Sequence, residues 1–243
     1  MDMRIGHSLR YLWQKIVQAP EKYILHQQTL WLSPYRSMYW ENQEALVVSD
    51  LHFGKTGHFR KSGIAVPQAI YKEDLQTLAT LIQYFKPKKL IVVGDFFHSV
   101  QNKELDYFAR WRNDFASLPI HLVKGNHDIL HQDWYSKTNI TIANQTLVID
   151  KFCFVHDIAE IQTAFNENLY YISGHIHPGI NVKGLGRQSL TFPCFYFSPQ
   201  YAILPAFSKF TGYVPIKKKK TDTVYAILPV NTAKGQMGSL VKM

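Results

Sequence analysis

Residues 44–52, EALVVSDLH, decide how this chain is read. Ala45, Leu46, Val47 and Val48 run without a polar interruption and stop at Ser49 and Asp50. A short apolar run closed by polar residues is the pattern of a strand buried on both faces. Residues 68–85, QAIYKEDLQTLATLIQYF, come next with Ile70, Leu75, Leu78, Ile82 and Phe85 at helical spacing. Residues 88–95, KKLIVVGD, repeat the strand pattern and end at Asp95. A second amphipathic helix is expected in ELDYFARWRNDFASL (104–118) and a third strand in PIHLVKGNHD (119–128). The order β-α-β-α-β predicts a parallel sheet with helices on its faces.

Beyond residue 145 the pattern changes. TLVIDKFCFVHD, LYYISGHIH, SLTFPCFYF, QYAILPAF and TVYAILPV read as strands joined by short turns with little helix between them. The expectation is a second sheet packed on the first, a two-sheet core with helices outside. Lys217–Lys220 falls between two of these strands and reads as a solvated hairpin tip, with a phosphate-backbone contact as the alternative. The expected division is a basic, helical N-terminal extension (1–23), one domain (24–230) and a flexible tail (231–243).

With 243 residues, 46% hydrophobic and 19% charged, the chain suits one globular domain. Lys plus Arg is 27 and Asp plus Glu 18, a formal charge of +9 that favours an anionic partner such as nucleic acid or a phosphorylated substrate. No apolar run approaches the roughly 18 residues of a membrane span. Arg10 and Lys15 interrupt the N-terminal stretch, so a secretory leader is not expected there. Cys153 and Cys194 lie in apolar strand-like contexts and are expected to be buried reduced thiols of a cytoplasmic protein.

Five strand-like runs each end in a polar cluster. Asp50-Leu51-His52 comes after the first, Gly94-Asp95 after the second and Gly125-Asn126-His127-Asp128 after the third; His156 comes after the fourth and His175-Ile176-His177 after the fifth. Parallel strands deliver their C-terminal loops to one sheet edge, so the five clusters are expected to converge. Two Asp, one Asn and four His (Asp50, Asp95, Asn126, His52, His156, His175, His177) make a mixed nitrogen and oxygen set. It suits manganese, iron or zinc better than calcium or a thiolate-bound zinc. Seven candidates are too many for one ion. They fit two ions sharing a carboxylate, an arrangement that clamps phosphoryl oxygens and activates water. In SGHIHPG (173–179) an extended backbone would send His175 and His177 to the same side, each to a different ion.

These motifs in this order resemble the calcineurin-like metallophosphoesterase superfamily, with its D-x-H, G-D, G-N-H-D/E, H and G-H-x-H pattern. The resemblance runs from about Leu46 to His177. It implies an α/β fold, a four-layer α-β-β-α sandwich of two mixed sheets flanked by helices. It also implies two divalent ions, manganese first and iron or zinc as alternatives. One ion would be held by Asp50, His52, Asp95 and His177, the other by Asp95, Asn126, His156 and His175, with Asp95 bridging. His127 would assist catalysis at the phosphate, oriented by Asp128.

A narrower similarity covers about Ile24 to Ala226. SDLHFGKTGHFRKSGIAVP, VVGDFFHS, FPCFYF, LPAFSKFTG and the lead-in LWLSPYRSMYWENQEALVVSDLH resemble the bacterial ICC-like group that includes ligase-associated DNA damage response (PdeM-like) phosphoesterases. DNA ligase or helicase repair partners are implied by that likeness alone. The chain departs from the group's pattern at Asp157, where Gly is usual, and in FTGYVP, where a double glycine is usual.

Lys55, Arg60 and Lys61 come just after the first motif and are candidate phosphate contacts, Arg60 foremost. His58 and His98 are candidate donors that orient ligands, and His98 is also a candidate substrate contact. Phe53, Phe59, Phe96 and Phe97 are expected to pack beneath the site, and His121 and His131 to be structural or exposed. The expected function is metal-dependent hydrolysis of phosphodiesters in nucleic acid. The alternatives are a small-molecule phosphoesterase (cyclic nucleotide, nucleotide pyrophosphate or phosphomonoester) and, third, a non-catalytic scaffold.

Overall fold

The computed structural model describes residues 19–55, 69–98, 103–161, 165–183, 189–229 and 238–243. The chain opens with an antiparallel meander, β1 (Glu21–Leu25), β2 (Gln28–Ser33) and β3 (Ser37–Trp40), leading into β4 (Ala45–Ser49). Next along the chain are helix α1 (Ala69–Phe85), β5 (Lys89–Val93), α2 (Lys103–Asp114), β6 (Ile120–Val123), α3 (Gln132–Lys137) and β7 (Ile140–Ala143). Strands β4 to β7 are parallel, so the first sheet has seven strands in sequence order and is mixed, not wholly parallel.

The second sheet contains β8 (Thr146–Ile149), β9 (Phe152–Val155), β10 (Tyr170–Ser173), β11 (Pro178–Lys183) and β12 (Ser189–Phe197). It is completed by β13 (Tyr201–Ile203), β14 (Val214–Pro215), β15 (Thr223–Leu228) and β16 (Ser239–Lys242). Its nine strands include both parallel and antiparallel pairs. Residues 146–157, read as one strand, form a hairpin that turns at Asp150 and Lys151. Two mixed sheets flanked by helices make this an α/β sandwich. Among the described residues the outer face of the second sheet carries only one short 3-10 turn, Ile158–Ile161.

Alternation of side chains explains why the strands are apolar throughout. In β4, Leu46 and Val48 face the helices while Ala45 and Val47 face the second sheet. Strand β5 divides likewise, Leu90 and Val92 outward and Ile91 and Val93 inward. Helix α1 applies Tyr71, Leu75, Leu78 and Ile82 to the outer layer, with Phe108 of α2 beside them. From the other sheet, Phe152, Phe154, Phe195 and Phe197 enter the inter-sheet core, leaving Cys153 and Cys194 on the far face. Both cysteines are buried and unpaired.

Three further placements differ from the sequence reading. Glu21 to Tyr23, assigned to the extension, belong to β1, while residues 1–18 lie outside the described ones. Lys217–Lys220 is exposed but is no hairpin tip, because β14 pairs with β11 and not with β15. The tail ends in β16, which pairs with β15 along Ser239–Lys242. No described helix is long and apolar enough to cross a membrane.

Candidate metal centre

The site forms where five strands end. Strands β4, β5 and β6 of the first sheet and β9 and β10 of the second bring their C-terminal loops together. Backbone hydrogen bonds tie the loops to one another. Asp50 N–H donates to the Gly94 carbonyl at 3.1 Å, and Gly174 N–H to the His156 carbonyl at 3.1 Å. Ser208 N–H reaches the Asp50 carbonyl at 3.3 Å.

Three of the five loops break sharply from their strands. Asp50, His52, Asp95, His175 and His177 all have left-handed φ values between 47° and 64°. Asp and His tolerate this region better than most residues, and such strain gathers at functional sites. The two histidines of SGHIHPG are therefore not on an extended segment. Each has a left-handed backbone, which aims them by turn geometry instead of strand alternation. Three glycines of the site are required by contact, Gly125 among them, where a Cβ would lie 2.4 Å from the Asp95 backbone nitrogen. A Cβ on Gly94 would lie 1.8 Å from His156 Nδ1, and one on Gly174 would lie 2.5 Å from Asp50 Oδ2.

Two groups of side chains converge, Asp50 with His52 and His177, and Asp95 with His156 and His175. Within each, one potential ligand atom per residue lies within 4.8 Å of the others. His52 Nε2 and His177 Nε2 are 3.3 Å apart, and His156 Nε2 and His175 Nδ1 are 3.0 Å apart. His177 Nε2 stands 3.5 Å from Asp50 Oδ1. Asp95 lies between the groups, with Oδ1 3.5 Å from His156 Nε2 and Oδ2 3.9 Å from His52 Nε2. Burial first, then Lys55 and the neighbouring rings of His177, His98 and His127, push the His52 pKa far below its ordinary value. Its ring is thereby held neutral, the form a metal requires. Converging imidazole nitrogens beside buried carboxylates fit a pair of divalent ions, and all these donors are nitrogen or oxygen.

Asn126 and His127 are exposed on the turn after β6. The His127 ring lies 4.1 Å from that of His98 and 5.6 Å from that of His52. Its backbone N–H donates to Asp95 Oδ1 at 2.9 Å, which fastens the turn to the centre. Asp128 fastens the turn from inside. Its buried carboxylate accepts the backbone N–H groups of Phe97 and Gly125, each at 2.9 Å, and so pins the turn itself. Burial raises its pKa to about 7 against the lowering effect of these hydrogen bonds.

Half-buried Lys55 has its pKa lowered by burial while Asp95 and Asp50 oppose that, which places its ammonium within their field. His98 is half-buried beside His127 and His52. Phe53, Phe96 and Phe97 are buried in the core next to the site. His121 is half-buried in β6, and His131 caps α3 from an exposed position. Arg60, Lys61, His58 and Phe59 lie outside the described residues. The sequence reading passed over Asp157 as a site residue, yet its Oδ2 lies 3.7 Å from His175 Nε2.

Residues 45–226 match the family described as Calcineurin-like phosphoesterase. The chain belongs to this family. Its members use two divalent metal ions, and this phosphoesterase is a metal-dependent hydrolase of phosphoric esters with two candidate metal sites. The crystal structure of Pseudomonas putida nuclease MPE is 27% identical and superimposes with a TM-score of 0.72, covering 85% of this chain and 96% of that one. The E. coli phosphoesterase YfcE is 15% identical over 82% of this chain and 97% of its own, with a TM-score of 0.41. A search of curated proteins found no match to the phosphoesterase.

Proposed function

We propose that this phosphoesterase hydrolyses phosphodiester bonds of nucleic acid at a dinuclear centre. The observation that carries the reading is the pair of three-residue groups with the two oxygens of Asp95 turned toward one each. Asp50, His52 and His177 would hold one ion, and His156 and His175 the other, with Asp95 shared and Asn126 completing the second. Two divalent ions, manganese first among them, supply Lewis-acid polarisation of the phosphoryl oxygens and activation of water. His127, exposed beside the centre, donates a ring proton to the leaving oxygen. Asp128 holds the turn that presents it, and Lys55 and Arg60 receive the substrate's phosphates.

Support for a nucleic-acid substrate is the likeness to nuclease MPE over most of the chain together with the formal charge of +9. The ligase-associated, PdeM-like group and its repair setting are supported by the motif resemblance in SDLHFGKTGHFRKSGIAVP and VVGDFFHS. Two buried unpaired thiols fit a cytoplasmic location. The test is a panel of single-stranded DNA, duplex DNA, RNA, cyclic nucleotides, bis-p-nitrophenyl phosphate and p-nitrophenyl phosphate, assayed with manganese at one salt concentration. Cleavage of a nucleic acid with the highest kcat/KM is expected. A preference for the monoester or for cyclic nucleotides would replace the polymer substrate with a small one.

A further inference from the structure

We infer that Asp157 is a positioning residue for the second ion, holding the His175 ring by its Nε2–H so that Nδ1 is the bare nitrogen facing the centre. The inference rests on the two-metal reading above. The two ring nitrogens of His175 have different partners. Nδ1 lies 3.0 Å from His156 Nε2, inside the group formed with Asp95. Nε2, on the other side of the ring, faces Asp157 Oδ2 at 3.7 Å. A neutral imidazole has one N–H and one lone pair, and the partner of the N–H decides which nitrogen carries the lone pair. A carboxylate accepts and cannot donate, so its place beside Nε2 puts the proton there and leaves Nδ1 free. The separation is that of an ion pair and is longer than a hydrogen bond, so a small side-chain rotation completes the contact.

Packing explains why this ring needs such a partner. The side chains of His52 and His156 are 2% and 3% exposed, and the walls of the site hold them. The His175 side chain is 38% exposed, so solvent borders much of its ring and packing alone does not set its orientation. Asp157 is itself held. Its Oδ1 accepts the Ala159 N–H at 2.9 Å and its carbonyl the Glu160 N–H at 3.2 Å, at the head of the 3-10 turn that buries Ile158. One carboxylate oxygen thus secures the residue to the fold while the other faces the ring. Carboxylate partners that orient metal-binding histidines in this way typically change metal affinity by about 10- to 100-fold when removed.

The test is calorimetric titration of the metal-free full chain with manganese alone, for wild type, Asp157→Ser and Asp157→Asn. Serine keeps an acceptor for the Ala159 N–H but cannot reach the ring; asparagine keeps size and reach without the charge. Expected is one of the two equivalents unchanged, with the other weakened about 10- to 100-fold in the serine variant and by less in the asparagine variant. The metal-free Tm should be unchanged in both. No weakening of either equivalent, or equal weakening of both, would reduce Asp157 to a turn cap and overturn the inference. If serine lowers the metal-free Tm, the asparagine variant decides by the same criterion. A wild-type chain that binds only one equivalent would instead overturn the two-metal reading itself.

Discussion

His127 and Gly94 show what single residues contribute at this centre. His127 is exposed and its ring belongs to neither three-residue group, so removing it should spare the ions. His127→Ala is expected to lower kcat by about 10²- to 10⁴-fold while elemental analysis still finds two equivalents of metal. Loss of metal together with activity would make His127 a ligand. Gly94 is required by space and by conformation, with φ at 75° and no room for a Cβ beside His156. Gly94→Ala should displace the His156 ring and weaken the second ion selectively, which a manganese titration with two resolved steps would show. Equal affinity for both ions would mean the ring can move aside at no cost.

At the scale of elements, α1 bears on the site through the 205–209 segment, whose Ser208 holds the Asp50 carbonyl. Asp74 of α1 is buried and bonded to the Ser208 side chain, and burial raises its pKa from 3.8 to about 6. A carboxyl whose pKa is raised by folding favours the native state while protonated, and that contribution is lost as pH rises through the folded value. Stability should therefore decline between about pH 4 and pH 6 by up to about 3 kcal/mol relative to Asp74→Asn, which keeps the acceptor and cannot ionise. Urea unfolding of both proteins across this range checks it, and parallel profiles would contradict it. Elements also explain what was hard to read in advance. The β1–β2 turn uses His26 and Gln27 with φ of 48° and 63°, and the β8–β9 turn uses Asp150 and Lys151. Asn-Gly and Asp-Gly are the usual signals for such two-residue turns, and neither is present at these positions.

For the molecule as a whole, the two candidate metal groups bridge the two sheets. The group of Asp50, His52 and His177 and the group of Asp95, His156 and His175 each combine loops from both sheets. Ions bound there by the folded chain alone must stabilise the whole sandwich. At free metal near 100 times Kd each ion contributes about 2.7 kcal/mol. Chelation with EDTA is therefore expected to lower Tm by several degrees and to abolish hydrolysis, with manganese restoring both. An unchanged Tm with lost activity would place the ions outside the fold's stability.

The layers and the chemistry were already legible in the order of residues. Apolar runs such as ALVV and LIVV had to be buried on both faces. The polar residues that close them had to emerge at strand ends, because a side chain beyond the last buried position of a strand has left the packed layers. The identities of Asp50, His52, Asp95, His156, His175 and His177 as mixed nitrogen and oxygen donors were legible for the same reason. Folding in three dimensions was needed to bring three of the five loops from one sheet and two from the other, since the step from β7 to β8 is a two-residue link with no directional signal. It also set His175 and His177 on left-handed turns, gave Asp128 to the backbone of Phe97 and Gly125, and stood Asp157 behind His175. Local pattern specifies which residues are buried and which are polar; where a side chain ends is set by backbone angles and contacts between segments far apart in the chain.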